Sequence, residues 1–298
     1  MNDEAEEEEQ RTAHGLKPRK MAETNVTYII QLATQLATTT NASNTDAGDA
    51  EEDREDREVL VQNVLAELAQ CTASAACDKR TNDVIEKLAY IASLPQLLEL
   101  MRRFTPYTVF LARQRHASHV YQAICSRLCF LLKHQGISTA DPDGLSEDSL
   151  AQGVAAFVGP VLAEVSWLCK ELSASHVVRS IFCLLAGMPC ISERKGKGSK
   201  HQHSVSLSEP LEVLLEAKRF TVAHNVLFYV PREFGELLGG AVAGLVELGA
   251  GGLQDLVSDT SSCTVLTLVG SVILFFFLRV FQFYFDPFSL APASPGRV

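Results

Sequence analysis

Three short stretches of the chain carry polar side chains at one recurring spacing. Ser175, His176 and Arg179 stand at i, i+1 and i+4 of Glu171-Leu-Ser-Ala-Ser-His-Val-Val-Arg-Ser-Ile-Phe-Cys-Leu-Leu-Ala-Gly187. Ser118, His119 and Gln122 hold the same places in Arg115-His-Ala-Ser-His-Val-Tyr-Gln-Ala-Ile124. Asn82, Asp83 and Glu86 hold them in Asp78-Lys-Arg-Thr-Asn-Asp-Val-Ile-Glu-Lys-Leu88. On a helix, side chains at i and i+4 sit one above the other, and the residue between them is free to stack. Such a trio suits recognition of a nucleic-acid base: two groups meet the base edge while a third covers its face. His119 and His176 are capable stackers, and Gln122 and Arg179 can bond edge atoms. The competing reading is that these are ordinary polar residues on the exposed face of stacked helices. Catalytic patterns are missing. No Ser/His/Asp or metal-ligand spacing occurs, and Gly249-Ala-Gly-Gly252 lacks the Lys and the preceding strand of a phosphate loop. No catalytic residue, metal or cofactor is expected, and the chain does not read as an enzyme.

Helices must position these trios. Val177, Val178, Ile181, Phe182, Leu184 and Leu185 form an apolar face at helical spacing, and Gly187 with Pro189 stops that helix. A short helix is expected over 27–38, and another from Arg57, where Leu60, Val64 and Leu68 recur. The Asn82 trio lies on a helix over 78–88. Pro95 opens the next one, through Phe104. Residues 150–172 read as a helix that Pro160 kinks or divides. Further helices are expected over 209–217 and 231–248, the latter ended by Gly249–Gly252. A last candidate places Cys263, Thr264 and Thr267 at the three polar positions. From Asn82 to Ser118 is 36 residues and from Ser118 to Ser175 is 57, and an insertion over 133–149 accounts for the longer interval. A unit of this length is that of an all-α helical repeat.

Charge is unevenly distributed. The net charge of −10 resides in residues 1–70, which hold 16 acidic and 6 basic side chains, leaving 20 of each beyond. The acidic run from Glu4 to Glu9, followed by Lys17-Pro-Arg-Lys20, reads as a disordered tail. The short basic cluster also suits a nuclear-targeting role. The N-terminus lacks the apolar core of a signal peptide. Eight cysteines without CxxC pairing fall mostly among apolar residues, which points to reduced, buried thiols in an intracellular protein. The loop with Arg194, Lys195, Lys197, Lys200, His201 and His203 reads as solvated, or as a flexible contact for phosphates.

The repeated stretches resemble the second helices of Pumilio repeats: Ala117-Ser-His-Val-Tyr-Gln-Ala-Ile124, Ala174-Ser-His-Val-Val-Arg-Ser-Ile181 and Arg80-Thr-Asn-Asp-Val-Ile-Glu-Lys-Leu88. With the preceding helix Glu58-Val-Leu-Val-Gln-Asn-Val-Leu-Ala-Glu-Leu68 and the insertions, the chain is similar to the nucleolar branch of that family, the nucleolar protein nine ribosome-biogenesis factors. The resemblance covers residues 56–268. It implies an all-α, curved α-solenoid that binds single-stranded or structured RNA, precursor rRNA of the small (18S) subunit above all. It places the protein in the nucleus and nucleolus, among pre-ribosomal particle proteins, as an RNA chaperone without catalytic activity. Carried over by position, the RNA-binding residues are Asn82, Asp83, Glu86, Ser118, His119, Gln122, Ser175, His176 and Arg179. Family members carry more repeats than the three found here with a partial fourth, so the chain reads as truncated. Asp83 and Glu86 repel phosphate, which suits a capping first repeat.

Three regions are expected: an acidic, largely disordered segment over 1–56, Pumilio-like repeats over 57–268 with loops at 133–149 and 191–207, and a hydrophobic tail over 269–298. Two rival readings remain open. A helical-repeat scaffold for protein partners would use the same fold. A tail-anchored membrane protein would use the 23 residues Cys263–Phe285, although Arg279 lies inside that window.

Overall fold

The computed structural model describes residues 10–12, 15–42, 52–135, 146–188, 229–259, 262 and 265–270. Short helices in triplets dominate it. The chain enters through a two-stranded antiparallel hairpin, β1 (Gln10–Thr12) and β2 (Gly15–Lys17). It continues through α1 (Glu23–Ala42) and α2 (Glu52–Glu67). The first repeat is α3 (Thr72–Cys77), α4 (Asn82–Ile91) and α5 (Leu94–Phe104). The second is α6 (Thr108–Arg113), α7 (Ala117–Gln135) and α8 (Glu147–Ala163). The third begins with α9 (Val165–Leu168) and α10 (Leu172–Leu185). Then come α11 (Arg232–Val246), α12 (Gly249–Ser258) and a helical stretch over 265–270.

The triplets stack into layers. In one, α7 packs between α4 and α10. In the other, α5 packs between α2 and α8, and α8 also meets α11. The short helices α3, α6 and α9 carry the chain from the second layer back to the first. A core of apolar side chains runs between the layers, from Ile29 and Val61 through Leu97, Ile124 and Phe157 to Phe182, Leu238 and Val265. Each such side chain contributes roughly 1.5–3 kcal/mol by leaving water.

Local chemistry explains the boundaries. Ser93 and Gln96 box the start of α5: the Ser93 N–H donates to Gln96 Oε1 at 3.1 Å, while Gln96 Nε2 donates to Glu58 O at 2.7 Å and ties α5 to α2. Gly187 ends α10 as expected. Its φ of 65° allows the N–H groups of Gly187 and Met188 to reach Leu184 O (3.1 Å) and Cys183 O (2.8 Å). Helix α4 starts four residues later than the periodicity suggests. Asp78 instead makes a turn, accepting from the Arg80 N–H at its side chain (2.8 Å) and from the Asn82 N–H at its carbonyl (2.9 Å).

Several expectations need correction. The segment 1–56 is not largely outside the fold, because Val26, Ile29 and Leu32 of α1 are buried against the body. The loop expected over 133–149 is shorter, since 133–135 end α7 and 147–149 begin α8. Part of the long second interval is helix: α7 has 19 residues where α4 has 10. Pro160 stays within α8, one turn from its end, where the helix would soon stop in any case, and the division comes after Ala163. Gly249–Gly252 starts a helix rather than only ending one. Gly249 takes φ 68°, and α12 leaves α11 at a 98° bend.

The expected helix over 209–217, the loop over 191–207, Cys263, Thr264 and the tail from 271 lie outside the described residues. Val265 and Val269, inside the window weighed as a membrane span, are buried in the core. Among the described residues no single helix is long and apolar enough to cross a membrane. Cys71, Cys77, Cys125, Cys129, Cys169 and Cys183 are thiols rather than disulfides. Burial pushes the Cys125 thiol up strongly and that of Cys169 to about 12, so both are inert at neutral pH.

One surface cluster gives the fold a pH dependence. Glu99 accepts from Arg102 Nε at 2.7 Å and from Arg103 Nε at 2.8 Å. The hydrogen bond from Arg102, reinforced by Arg103, pulls its carboxyl from 4.5 to about 2. A carboxyl depressed in the folded state adds stability above its unfolded value and loses it as pH falls through the folded one. Glu99→Gln should therefore lower stability by up to about 1 kcal/mol at pH 7. Urea denaturation at stepped pH should show the two chains converging between pH 4.5 and about 2. A gap that does not change with pH would contradict this assignment.

Candidate nucleic-acid interface

Each polar trio lies within the first eight residues of its helix, and the three helices lie side by side with α7 in the middle. The fold therefore brings the three trios onto one layer. It does not present all nine side chains alike. Ser118 and Ser175 are each only 2% exposed. The Ser118 hydroxyl donates to Arg115 O at 3.0 Å and the Ser175 hydroxyl to Leu172 O at 2.9 Å. The two serines thus share one geometry and direct their single donor to their own backbone, not outward. Asn82 is also buried, with its amide 3.5 Å from Asp83 Oδ1, and Glu86 is buried beside it. The first position of each trio therefore lies against the neighbouring helices rather than on the open surface. Helices packed on both sides cover the first position, and a short hydroxyl satisfied by a carbonyl tolerates the covering.

The i+1 positions, and the i+4 positions of α7 and α10, are more open. His119 and Asp83 are exposed, and His176, Gln122 and Arg179 are half-buried. Gln122 Nε2 donates to Ser118 O at 3.0 Å, which lays its amide along the helix surface. An Arg179 guanidinium N–H donates to His176 Nδ1. That contact requires Nδ1 to be unprotonated, so the imidazole and the guanidinium form one preorganised pair. The layer changes in charge along its length, from the carboxylates of Asp83 and Glu86 on α4 to the Arg179 guanidinium on α10.

Other residues set the helices' positions. Tyr121, one residue before Gln122, is 1% exposed, stacks on Phe157 at 4.2 Å and donates to Phe157 O at 2.8 Å. It fixes α7 onto α8. Arg127 Nε donates to Ala92 O at 2.9 Å and holds α7 to the end of α4. Arg113 pairs with Glu171 at 3.2 Å and lies 4.9 Å over the Trp167 ring, joining the second repeat to the third. Glu171 O in turn accepts the Ser175 N–H at 2.8 Å. Motif spacing does not reveal this Arg113–Trp167–Glu171 cluster. The one sign of it in the sequence is that Trp167 is the single tryptophan, four residues ahead of the motif stretch. Thr267 is exposed on the helical stretch 265–270, but the other two members of the candidate fourth trio are not among the described residues.

Comparison with known proteins agrees with this fold. The family model for the NOP9-like PUF repeat domain matches residues 72–273. Nucleolar protein 9 of Arthroderma benhamiae is 24% identical over 255 residues, covering 78% of this chain and 34% of that protein. Nucleolar protein 9 of Yarrowia lipolytica is 23% identical over 209 residues, covering 66% and 26%. The chain thus spans about a third of the length of curated relatives it matches, 34% for the first two. Among solved structures, APUM23-GGAAUUGACGG is similar at a TM-score of 0.58, with 19% identity over 91% of this chain and 44% of that one. APUM23-GGAGUUGACGG gives 0.57 with 18% identity, over 85% and 40%. At these identities the structural likeness speaks for the fold, an all-α solenoid of Pumilio-like repeats. The family model covers well over half of the sequence, from α3 to beyond the last described helix, and the chain belongs to the NOP9-like PUF repeat family.

Proposed function

We propose that the α4–α7–α10 layer binds RNA, with no catalytic step. The observation that carries this reading is the placement of three trios on adjacent helices, with His119 open and the His176–Arg179 pair beside it. His119 and His176 stack on bases, while Gln122 and Arg179 bond their edges. Ser118 and Ser175 shape the first helical turn. Asn82, Asp83 and Glu86 terminate the surface, since the carboxylates repel phosphate. The relatives named nucleolar protein 9 support a nucleolar setting. The RNA we propose is a precursor rRNA of the small (18S) subunit, as the resemblance of the motif stretches implies. Within a pre-ribosomal particle the protein holds that RNA until assembly proceeds. Binding of a randomised single-stranded RNA pool by the soluble chain tests the proposal. Saturable, salt-dependent binding is expected, and no detectable affinity at low salt would refute it. Capture of particle proteins by a chain that binds no RNA would favour a protein scaffold on the same fold.

A further inference from the structure

The basic residues Lys17, Arg19 and Lys20 do not trail away from the repeats. Pro18 between them is buried, and Met21 packs on the core. The Ser74 hydroxyl of α3 donates to Arg19 O at 2.5 Å. Gly15 takes φ 108°, where a Cβ would lie 3.6 Å from Val109, so strand β2 runs close along α6. Beyond the strap, Glu23 of α1 pairs with Arg80. The segment is anchored at both ends and in its middle.

The strap walls a cleft of about 490 Å³ whose lining includes Lys17, Arg19, Lys20, Asp78, Phe110 and Gln114. The side chains of Lys17, Arg19 and Lys20 are exposed, and no described carboxylate pairs with them. Asp78, the acidic residue on the wall, is already matched by Arg80 at 3.0 Å. The cleft is therefore cationic, whereas the chain beyond residue 70 holds 20 acidic and 20 basic side chains.

Its position ties it to the recognition layer. Asp78 O accepts the Asn82 N–H at 2.9 Å, and Gln114 O accepts the Ser118 N–H at 2.8 Å. The cleft thus opens beside the first turns of α4 and α7, where the first two trios begin. Three cations set beside base-facing positions suit the phosphates of the same strand. Half-buried Phe110 gives the cleft an apolar floor on which a base or ribose can rest.

We infer that the Lys17–Lys20 strap and its cleft form a phosphate-binding rim that holds the backbone of RNA lying on the α4–α7 end of the layer. The inference rests on the RNA reading above. It gives the first repeat, whose Asp83 and Glu86 repel phosphate, a source of attraction from outside the trios.

Lys17→Gln, Arg19→Gln and Lys20→Gln, combined in the full chain, test it by titration with the randomised single-stranded RNA pool at several salt concentrations. Removing three cations from the phosphates should flatten the dependence of log affinity on log salt by about 2. Affinity should fall roughly 100-fold at 0.1 M salt, with the two chains converging near 1 M. The Arg19 contact to Ser74 uses the backbone, so the melting temperature should not move. In the unsubstituted chain, bound RNA should also protect Lys17 and Lys20 from acetylation, a readout that needs no variant. An unchanged slope, or lysines equally reactive with and without bound RNA, overturns the rim and leaves the RNA reading standing. Failure of the unsubstituted chain to bind any RNA overturns both.

Discussion

Tyr121→Ala should lower the stability of the chain by about 3–5 kcal/mol, the loss typical of a large aromatic removed from a packed core. Tyr121 lies inside the second motif stretch, yet it faces away from the trio. Its ring stacks on Phe157 at 4.2 Å, and its hydroxyl donates to Phe157 O at 2.8 Å. The substitution leaves a cavity between α7 and α8 and an acceptor without that donor. Tyr121→Phe separates the two effects. It keeps the ring and should cost only about 1 kcal/mol for the hydrogen bond. Urea denaturation of the three chains measures both differences. A loss below about 1 kcal/mol for the alanine variant would mean that α7 is held elsewhere, through Arg127 or the α10 contact.

The double variant His119→Ala, His176→Ala should leave the fold intact and weaken RNA binding sharply. His119 is exposed, and alanine is the better helix former, so its removal should change stability by less than about 0.5 kcal/mol. At His176 the hydrogen bond from Arg179 goes as well. Stacking of a base on an aromatic side chain contributes about 1–3 kcal/mol. Removing two stacks together predicts an affinity at least about 30-fold lower. The salt slope should stay near that of the parent chain, because what the substitutions remove is stacking on bases rather than contact with phosphates. Equal affinities for parent and variant would remove the histidines from the interface. A variant with reduced affinity and an equally reduced melting temperature would mark them as structural.

How far the sequence could be read depended on what each residue's type says about its surroundings. The repeat was legible because its spacing is imposed by packing. Thr72 and Thr108 start α3 and α6 at the same 36-residue interval that separates Asn82 from Ser118. Gly187 and Pro95 were legible because each has a narrow conformational role. Serine has none. Ser118 and Ser175 looked exposed because they are polar, but a hydroxyl bonded to the carbonyl three residues back can be buried at little cost. The N-terminal segment misled for a related reason. Its acidic and basic runs carry the composition of a tail, and nothing local reveals that Pro18 is buried or that Ser74 holds Arg19 O. Pairings distant in the chain, such as Arg113 with Glu171, left almost no trace in the sequence for the same reason.

The strongest test of the RNA-binding layer is to locate the bound strand on the protein. Single-stranded RNA carrying 4-thiouridine, cross-linked by near-ultraviolet light to the unsubstituted chain, can be mapped by mass spectrometry of the attached peptides. Cross-links should fall on the first turns of α7 and α10, within the peptides holding His119 and His176. Cross-links confined to α5 and α8 on the other layer, or to no described helix despite saturable binding, would contradict the account.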